Sequence, residues 1–402
     1  MTSEIKQRIE QIRRGEVPER YVKTVLGLAP ANWKRYTFGD IYTERKEPGD
    51  ENLPLLMVSI HSGVSDGEVD AAELPKQVKR IEDKSQYKKA VSGDLVFNMM
   101  RAWQGAIGTV RTTGMVSPAY IVAEPNDKAY PLFMDYYSRT PQMINQIDRQ
   151  SYGVTDFRKR LYWDSFAPIS CTLPPIEEQQ KIAAILTTQD RVIELKGKRL
   201  AEKQRQKKYL MQQLLTGKKR LPGFAFEVEK TNIKAISTYS VSTISQTMLE
   251  SYEGKQLYPV FNANSIAGHV DFYENECPYI SIIKDGAGIG RVRLCEAKSS
   301  TIGTMGCIHA RKGISIIFLY YLLEQVDFNK YSNGSTIPHL YYKDYSCEKV
   351  RIPDIKEQAA IAEVLSTADR EIELLQQDIE QEKQKKKALM QLLLTGIVRV
   401  KT

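Results

Sequence analysis

The chain has 402 residues, enough for two or three domains with cores of their own, and 42% are hydrophobic against 26% charged, a balance that excludes a disordered or fibrous protein. A net charge of +8 favours an acidic partner, nucleic acid first, although many basic proteins of this size bind none. Cys171, Cys277, Cys295, Cys307 and Cys347 are scattered without a CxxC pair, and His61, His269, His309 and His339 form no HxxxH or HExxH pattern. Neither a disulfide framework nor a metal site is expected.

In chain order, the first ten residues are charged from the start and lack the apolar core of an export signal. No stretch reaches the roughly 20 apolar residues that span a bilayer, so no membrane association and a reduced, cytoplasmic setting are expected. Ser3 to Arg14 either joins a helical pair further on or caps the first domain; the residues do not choose. Residues 20–170 are rich in short apolar runs and turn residues. Leu95 to Met99 and Tyr120 to Ala123 read as strands, and Tyr130 to Ile147 as a helix packed on them.

One long helix follows Pro174. Glu177 and Glu178 stand near its positive end, lysines crowd the far end, and Gly217 stops it about 40 residues and roughly 60 Å later. Residues 220–350 return to short apolar runs, with strands at Tyr279 to Ile283 and Arg291 to Leu294 and a helix within Ile314 to Val326. Then the long helix recurs from Pro353 to Gly396, with Glu357 near its start and about half of the aligned positions identical.

Ile361, Leu365, Ala368, Ile372, Leu375, Ile379, Leu389 and Leu393 are spaced on heptad steps in the second copy, as are Ile182, Leu186, Ile193, Leu200, Leu210 and Leu214 in the first. Gln189, Lys196, Lys203, Lys207, Glu382 and Lys386 interrupt this seam. So narrow a stripe in both copies suggests that they pack on each other, with polar residues fixing register. Two helices packed separately on domain cores is the alternative. The basic runs Lys198, Arg199, Lys203, Arg205, Lys207 and Lys208, with Lys383 and Lys385 to Lys387, read as a solvated face before they read as a DNA contact.

The regions between the helices correspond loosely. Gly105-Ala-Ile-Gly-Thr-Val echoes Ala287-Gly-Ile-Gly-Arg-Val, Leu161-Tyr-Trp-Asp-Ser-Phe echoes Leu340-Tyr-Tyr-Lys-Asp-Tyr, and Ser151 to Thr155 and Ser332 to Thr336 are Gly-centred loops. The chain is therefore a tandem of α+β domain plus helix. Asp285-Gly-Ala-Gly-Ile-Gly would need a following helix to cradle a nucleotide, but Arg291 to Leu294 is strand-like, and no phosphate loop, amino-methylation motif or nucleophile–base grouping occurs. No catalytic residue and no cofactor are assigned. Loop chemistry suited to nucleic acid is present: Arg101, Trp103, Gln104, Tyr152, Arg158, Lys159 and Arg160 in the first domain, Lys284, Arg291, Asn333, Ser335, Thr336, His339 and Lys343 in the second. Arg suits guanine, Asn and Gln suit adenine, and Lys, Ser and Thr suit phosphates. Each alone is more often an ordinary surface residue.

The duplicated Pro-x-Ile-x-Glu-Gln helix ending in Leu-Met-Gln-x-Leu-Leu-Thr-Gly, with Ser92-Gly-Asp-Leu-Val-Phe-Asn, Val116-Ser-Pro-Ala-Tyr and Ile282-Ile-Lys-Asp-Gly-Ala-Gly-Ile-Gly-Arg-Val, resembles the specificity subunit of type I restriction-modification systems over nearly the whole chain. The resemblance implies target recognition domains at residues 1–172 and 220–351, with helical regions at 173–219 and 352–402. Each domain would read one half of a split, asymmetric site on double-stranded DNA. Antiparallel pairing of the helices would relate the domains by a pseudo-two-fold and set the gap. Two methyltransferase subunits would dock on them, joined by restriction subunits that, with the methyltransferases, carry the chemistry. A coiled-coil scaffold binding only protein is the competing reading.

Overall fold

The computed structural model describes residues 3–24, 27–50, 52–60, 63–65, 86–153, 159–224, 229–286, 288–334 and 337–400. Its contacts divide the chain into two compact units, Met1–Leu195 with Glu380–Thr402, and Lys196–Ile379. Each unit therefore takes part of both long helices.

The first unit opens with helix α1 (Ser3–Arg13), whose Arg8 donates to the carbonyl of Ile397 at 3.0 Å. Among its strands are β1 (Lys34–Thr37), β2 (Tyr42–Arg45), β3 (Leu95–Asn98), β4 (Ile107–Thr109) and β5 (Tyr120–Pro125). β2 to β5 form an antiparallel sheet in the order β2-β5-β3-β4. Helices α2 (Pro131–Tyr137) and α3 (Pro141–Arg149) follow, where the sequence suggests one helix. Pro141 is the reason: its ring forces Thr140 into an extended conformation, and the Thr140 hydroxyl then caps α3 by accepting from Met143 N. Strand β6 (Ser170–Leu173) pairs antiparallel with β1 and hands the chain to helix α4 (Ile176–Leu214), 39 residues long.

The second unit repeats the plan. Strands β7 (Glu229–Asn232), β8 (Ser237–Val241), β9 (Tyr258–Phe261), β10 (Ile266–Val270), β11 (Tyr279–Ile283), β12 (Val292–Cys295) and β13 (Met305–Ala310) lead to helix α5 (Ile316–Glu324), strand β14 (Lys349–Ile352) and the 40-residue helix α6 (Ile355–Leu394). The sheet order β8-β13-β11-β12 matches that of the first unit, and β7 pairs antiparallel with β14 as β1 does with β6. β11 and β12 form a hairpin, so the glycine-rich turn between them does not open a helix. Gly290 in that turn has φ +81°, and a Cβ there would collide with the Phe328 side chain.

Buried apolar residues join each sheet to both long helices. In the first unit Phe38, Phe97, Phe133 and Phe166 pack with Ile182 and Leu186 of α4 and with Leu393 and Leu394 of α6. In the second, Ile280, Ile282, Phe318 and Tyr345 pack with Leu214 of α4 and with Ile361 and Leu365 of α6. Leu186, Leu214, Leu365 and Leu393 are thus buried in domain cores, while Ile193, Leu200, Ile372 and Ile379 are half-buried.

Within each unit the helices run antiparallel and are cross-linked by the residues that interrupt the heptads. Gln189 donates to Glu382 at 2.6 Å, and Lys386 meets Asp190 at 2.5 Å, in the first unit. Lys196–Asp378 (2.8 Å), Lys203–Glu371 (2.6 Å) and Lys207–Asp369 (2.6 Å) do the same in the second.

Contacts that bind each domain to the long helices recur, the helix partners at an offset of 179 residues, the separation of Pro174 and Pro353, and the domain partners at an offset of 185. Tyr136 OH donates to Asp190 at 2.7 Å with the Lys386 ammonium 5.3 Å from its ring; Tyr321 OH donates to Asp369 at 2.7 Å with Lys207 5.3 Å away. Gln179 accepts from Tyr130 N and donates to Pro174 O, as Gln358 accepts from Ser315 N and donates to Pro353 O. Burial and the Asp190 bond push the Tyr136 hydroxyl up to about 12, so it stays a donor.

Candidate nucleic-acid interface

β3 and β4 are joined by Met99 to Ala106, a short 3-10 turn (Ala102–Gln104) closed at Gly105. Leu161 N donates to Met99 O at 2.9 Å, which brings the segment after the first Gly-centred loop beside this turn. Tyr152 and Arg160 exchange backbone hydrogen bonds at 2.8 and 2.7 Å and close that loop. Lys159 lies 5.1 Å from the Trp103 ring centroid and 2.8 Å from Asp148. Trp103 Nε1 donates to Met100 O, so the indole edge is satisfied while its face is covered by the ammonium. Six candidates, Arg101, Trp103, Gln104, Tyr152, Lys159 and Arg160, thus meet on one loop cluster. Arg101, Gln104 and Tyr152 are exposed, Tyr152 by 62%.

The second unit builds the corresponding place from different residues. Leu340 N donates to Lys284 O at 2.8 Å, the counterpart of Leu161 to Met99. Ser332–Asn333 pairs with His339–Leu340. His339 Nδ1 lies 2.7 Å from Asp285 Oδ1, Lys284 reaches the other oxygen of Asp285, and Lys343 sits 5.5 Å from the ring of Tyr341, which stacks on His339. Burial pushes the Asp285 carboxyl up, but the hydrogen bonds and charges of Lys284 and His339 outweigh it and hold it below its ordinary value. Asn333 donates to Asp344 at 3.2 Å. Lys284, Asn333, His339 and Lys343 are brought together. Arg291 is engaged elsewhere, its Nη2 donating to Ala263 O and Asn264 Oδ1. Arg158, Ser335 and Thr336 lie outside the described residues.

Residue spacing gives no hint of the carboxylates Asp148 and Asp285, which orient the basic side chains, whereas the exposed Tyr162 and Tyr341 lie 179 residues apart in the Leu161 and Leu340 segments that correspond in sequence. Buried thiols offer no nucleophile here: burial pushes Cys171 up to about 12 and Cys307 to about 11. No described helix is long and apolar enough to cross a membrane, and no group of three described His, Cys, Asp or Glu residues could hold a metal ion.

The chain is thus a tandem of two α+β units on a duplicated helix, each presenting a basic and aromatic loop cluster at the same point of its sheet. The model of the type I restriction modification DNA specificity domain matches residues 71–204 and 226–384, and the chain belongs to that family. It is similar to the putative type I restriction enzyme MjaX specificity subunit of Methanocaldococcus jannaschii, at 23% identity over 96% of this chain and 98% of that one. The MjaVIII specificity subunit of the same organism is 24% identical over 95% and 97%. Among solved structures, the type I restriction-modification S subunit of M. genitalium superposes with a TM-score of 0.61 at 14% identity, covering 92% of this chain and 97% of that one. A chain from a structure concerned with assembly and conformational transition of a type I restriction-modification system gives 0.54 at 17% identity, covering 92% and 99%. The chain is thus a DNA specificity subunit with two recognition domains, and the protein-only scaffold falls away.

Proposed function

We propose that the chain reads a bipartite, asymmetric site on double-stranded DNA, one half through each loop cluster, and that it is not itself catalytic. The observation that carries this is equivalence of place without equivalence of residue. Arg101, Trp103, Gln104 and Arg160 stand where Lys284, Asn333 and His339 stand in the other unit. Lysines and arginines supply salt-dependent affinity through phosphates, and a few loop side chains supply base choice. The long helices, cross-linked by their polar interruptions, set the unread gap as a ruler.

Chemistry then belongs to docked methyltransferase subunits, with restriction subunits completing the complex. Support for two methyltransferase copies comes from a groove repeated at the same offset. Lys207, Lys208, Met211 and Gln212 line one beside Leu323 to Phe328, and Lys386, Lys387, Met390 and Gln391 line the other beside Thr140 to Gln142. Matching grooves fit matching partners. Native mass spectrometry of the chain coexpressed with its methyltransferase subunit should show two copies per chain, with Lys387→Glu losing one. A single copy in the unaltered complex would contradict the stoichiometry. Methyl transfer to DNA by the isolated chain would contradict its non-catalytic role.

A further inference from the structure

We infer that the Asn262–Ser265 turn of the second unit, pinned by Arg291, is a second base-reading element of that unit, with Asn264 the residue that meets a base. The inference rests on the function proposed above and adds a surface distinct from the Lys284–His339 cluster.

The turn joins β9 to β10 and is already closed without Arg291. Asn262 Oδ1 accepts from Asn264 N at 2.9 Å and Ser265 N at 2.8 Å, and Asn262 N donates to Ser265 O at 3.0 Å. Arg291 therefore does something other than fold the hairpin. Its Nη2 donates to Ala263 O at 2.6 Å and to Asn264 Oδ1 at 2.8 Å, which fixes the orientation of an exposed side-chain amide. One Oδ1 lone pair and both Nδ2 hydrogens of Asn264 remain available. One acceptor and one donor on a rigid amide are what bidentate pairing with adenine N6 and N7 requires.

The surroundings suit a polyanion. Asn262, Asn264, Arg291 and Arg293 line an open groove floored by Ile283 and Met305, and no carboxylate is among its lining residues. The Arg293 guanidinium lies 4.4 Å from the Phe261 ring centroid, so it too is held while remaining exposed. Ile283 in the groove floor directly precedes Lys284 of the Lys284–His339 cluster in the chain. The first unit has a hairpin in the same place, Val58–Ser59 paired with Gly63–Val64, and Ile60 O lies 3.4 Å from where a Cβ on Gly105 would sit. The sequence between those strands, Ile60-His-Ser, differs from Asn262-Ala-Asn-Ser, as two domains reading different half-sites require.

The test is selection of preferred sites from a randomised DNA library by the complete methyltransferase complex carrying Asn264→Ala, Arg291→Ala or Arg291→Lys. Each should relax one position of one half-site about ten-fold or more while the other half-site keeps its preferences. Arg291→Lys keeps the charge but loses the two-bond grip on the turn, and should relax the same position. An unchanged motif would overturn the inference. So would uniformly weaker binding with the motif intact, which marks a phosphate contact only. An unaltered complex that selects no bipartite motif would instead sink the function on which this inference rests.

Discussion

Glu178 shows how a single residue can be placed by sequence and still misread. Its position in the first turn of a long helix accounts for an acidic side chain near the positive helix end. In the fold it is fully buried, accepts from Trp33 Nε1 at 3.3 Å, and takes two bonds from Arg399 at 2.6 and 2.7 Å. Glu357 and Arg220 repeat the arrangement, with Arg220 Nε at 2.7 Å. Nothing local announces a partner 221 residues away, although the shared 179-residue offset of both members of the pair would have. Removing the arginine strands a buried carboxylate, so Arg399→Leu should cost about 3 kcal/mol, read as a lower urea midpoint. Loss below about 1 kcal/mol would mean that water reaches Glu178. The loop candidates were legible as residue types. Their grouping depends on the bridges Tyr152–Arg160 and Asn333–His339, which residue spacing does not reveal.

At the scale of elements, the long helices and central strands were readable because their periods and boundary residues agree. The split between α2 and α3 was missed although Pro141 announced it. The polar interruptions of the heptads were readable as breaks, but their partners across the helix pair were not. Hydrogen bonding and charge from Lys203 hold the Glu371 carboxyl below its ordinary 4.5. A depressed folded-state value means that this stabilisation is fully present above pH 4.5 and is lost as pH falls through the lowered value. The thermal midpoints of the wild type and Lys203→Met should therefore differ at neutral pH and converge in acid. A difference that persisted in acid would point to packing by the lysine stem. Gly197 lies inside α4, and a Cβ added there would meet nothing within 4 Å. Gly197→Ala should accordingly raise stability by up to about 1 kcal/mol, a gain visible in urea unfolding. A loss would show that the helix needs the glycine for close approach.

For the whole molecule, duplication explains more than any single motif. One scaffold carries β2-β5-β3-β4 and β8-β13-β11-β12 in the same order, and one set of helix contacts recurs residue by residue. Net charge, the first hint of DNA, discriminates least. The central claim is that two different readers on this repeat share a helical spacer. Sequencing the methylated sites in cells expressing the complete system tests it most directly, using the native chain and a chain with one helical turn added beside Gly197. The expected result is a bipartite, asymmetric motif whose halves stay constant while the gap lengthens in the extended chain. An uninterrupted motif, or a gap that does not change, would contradict it.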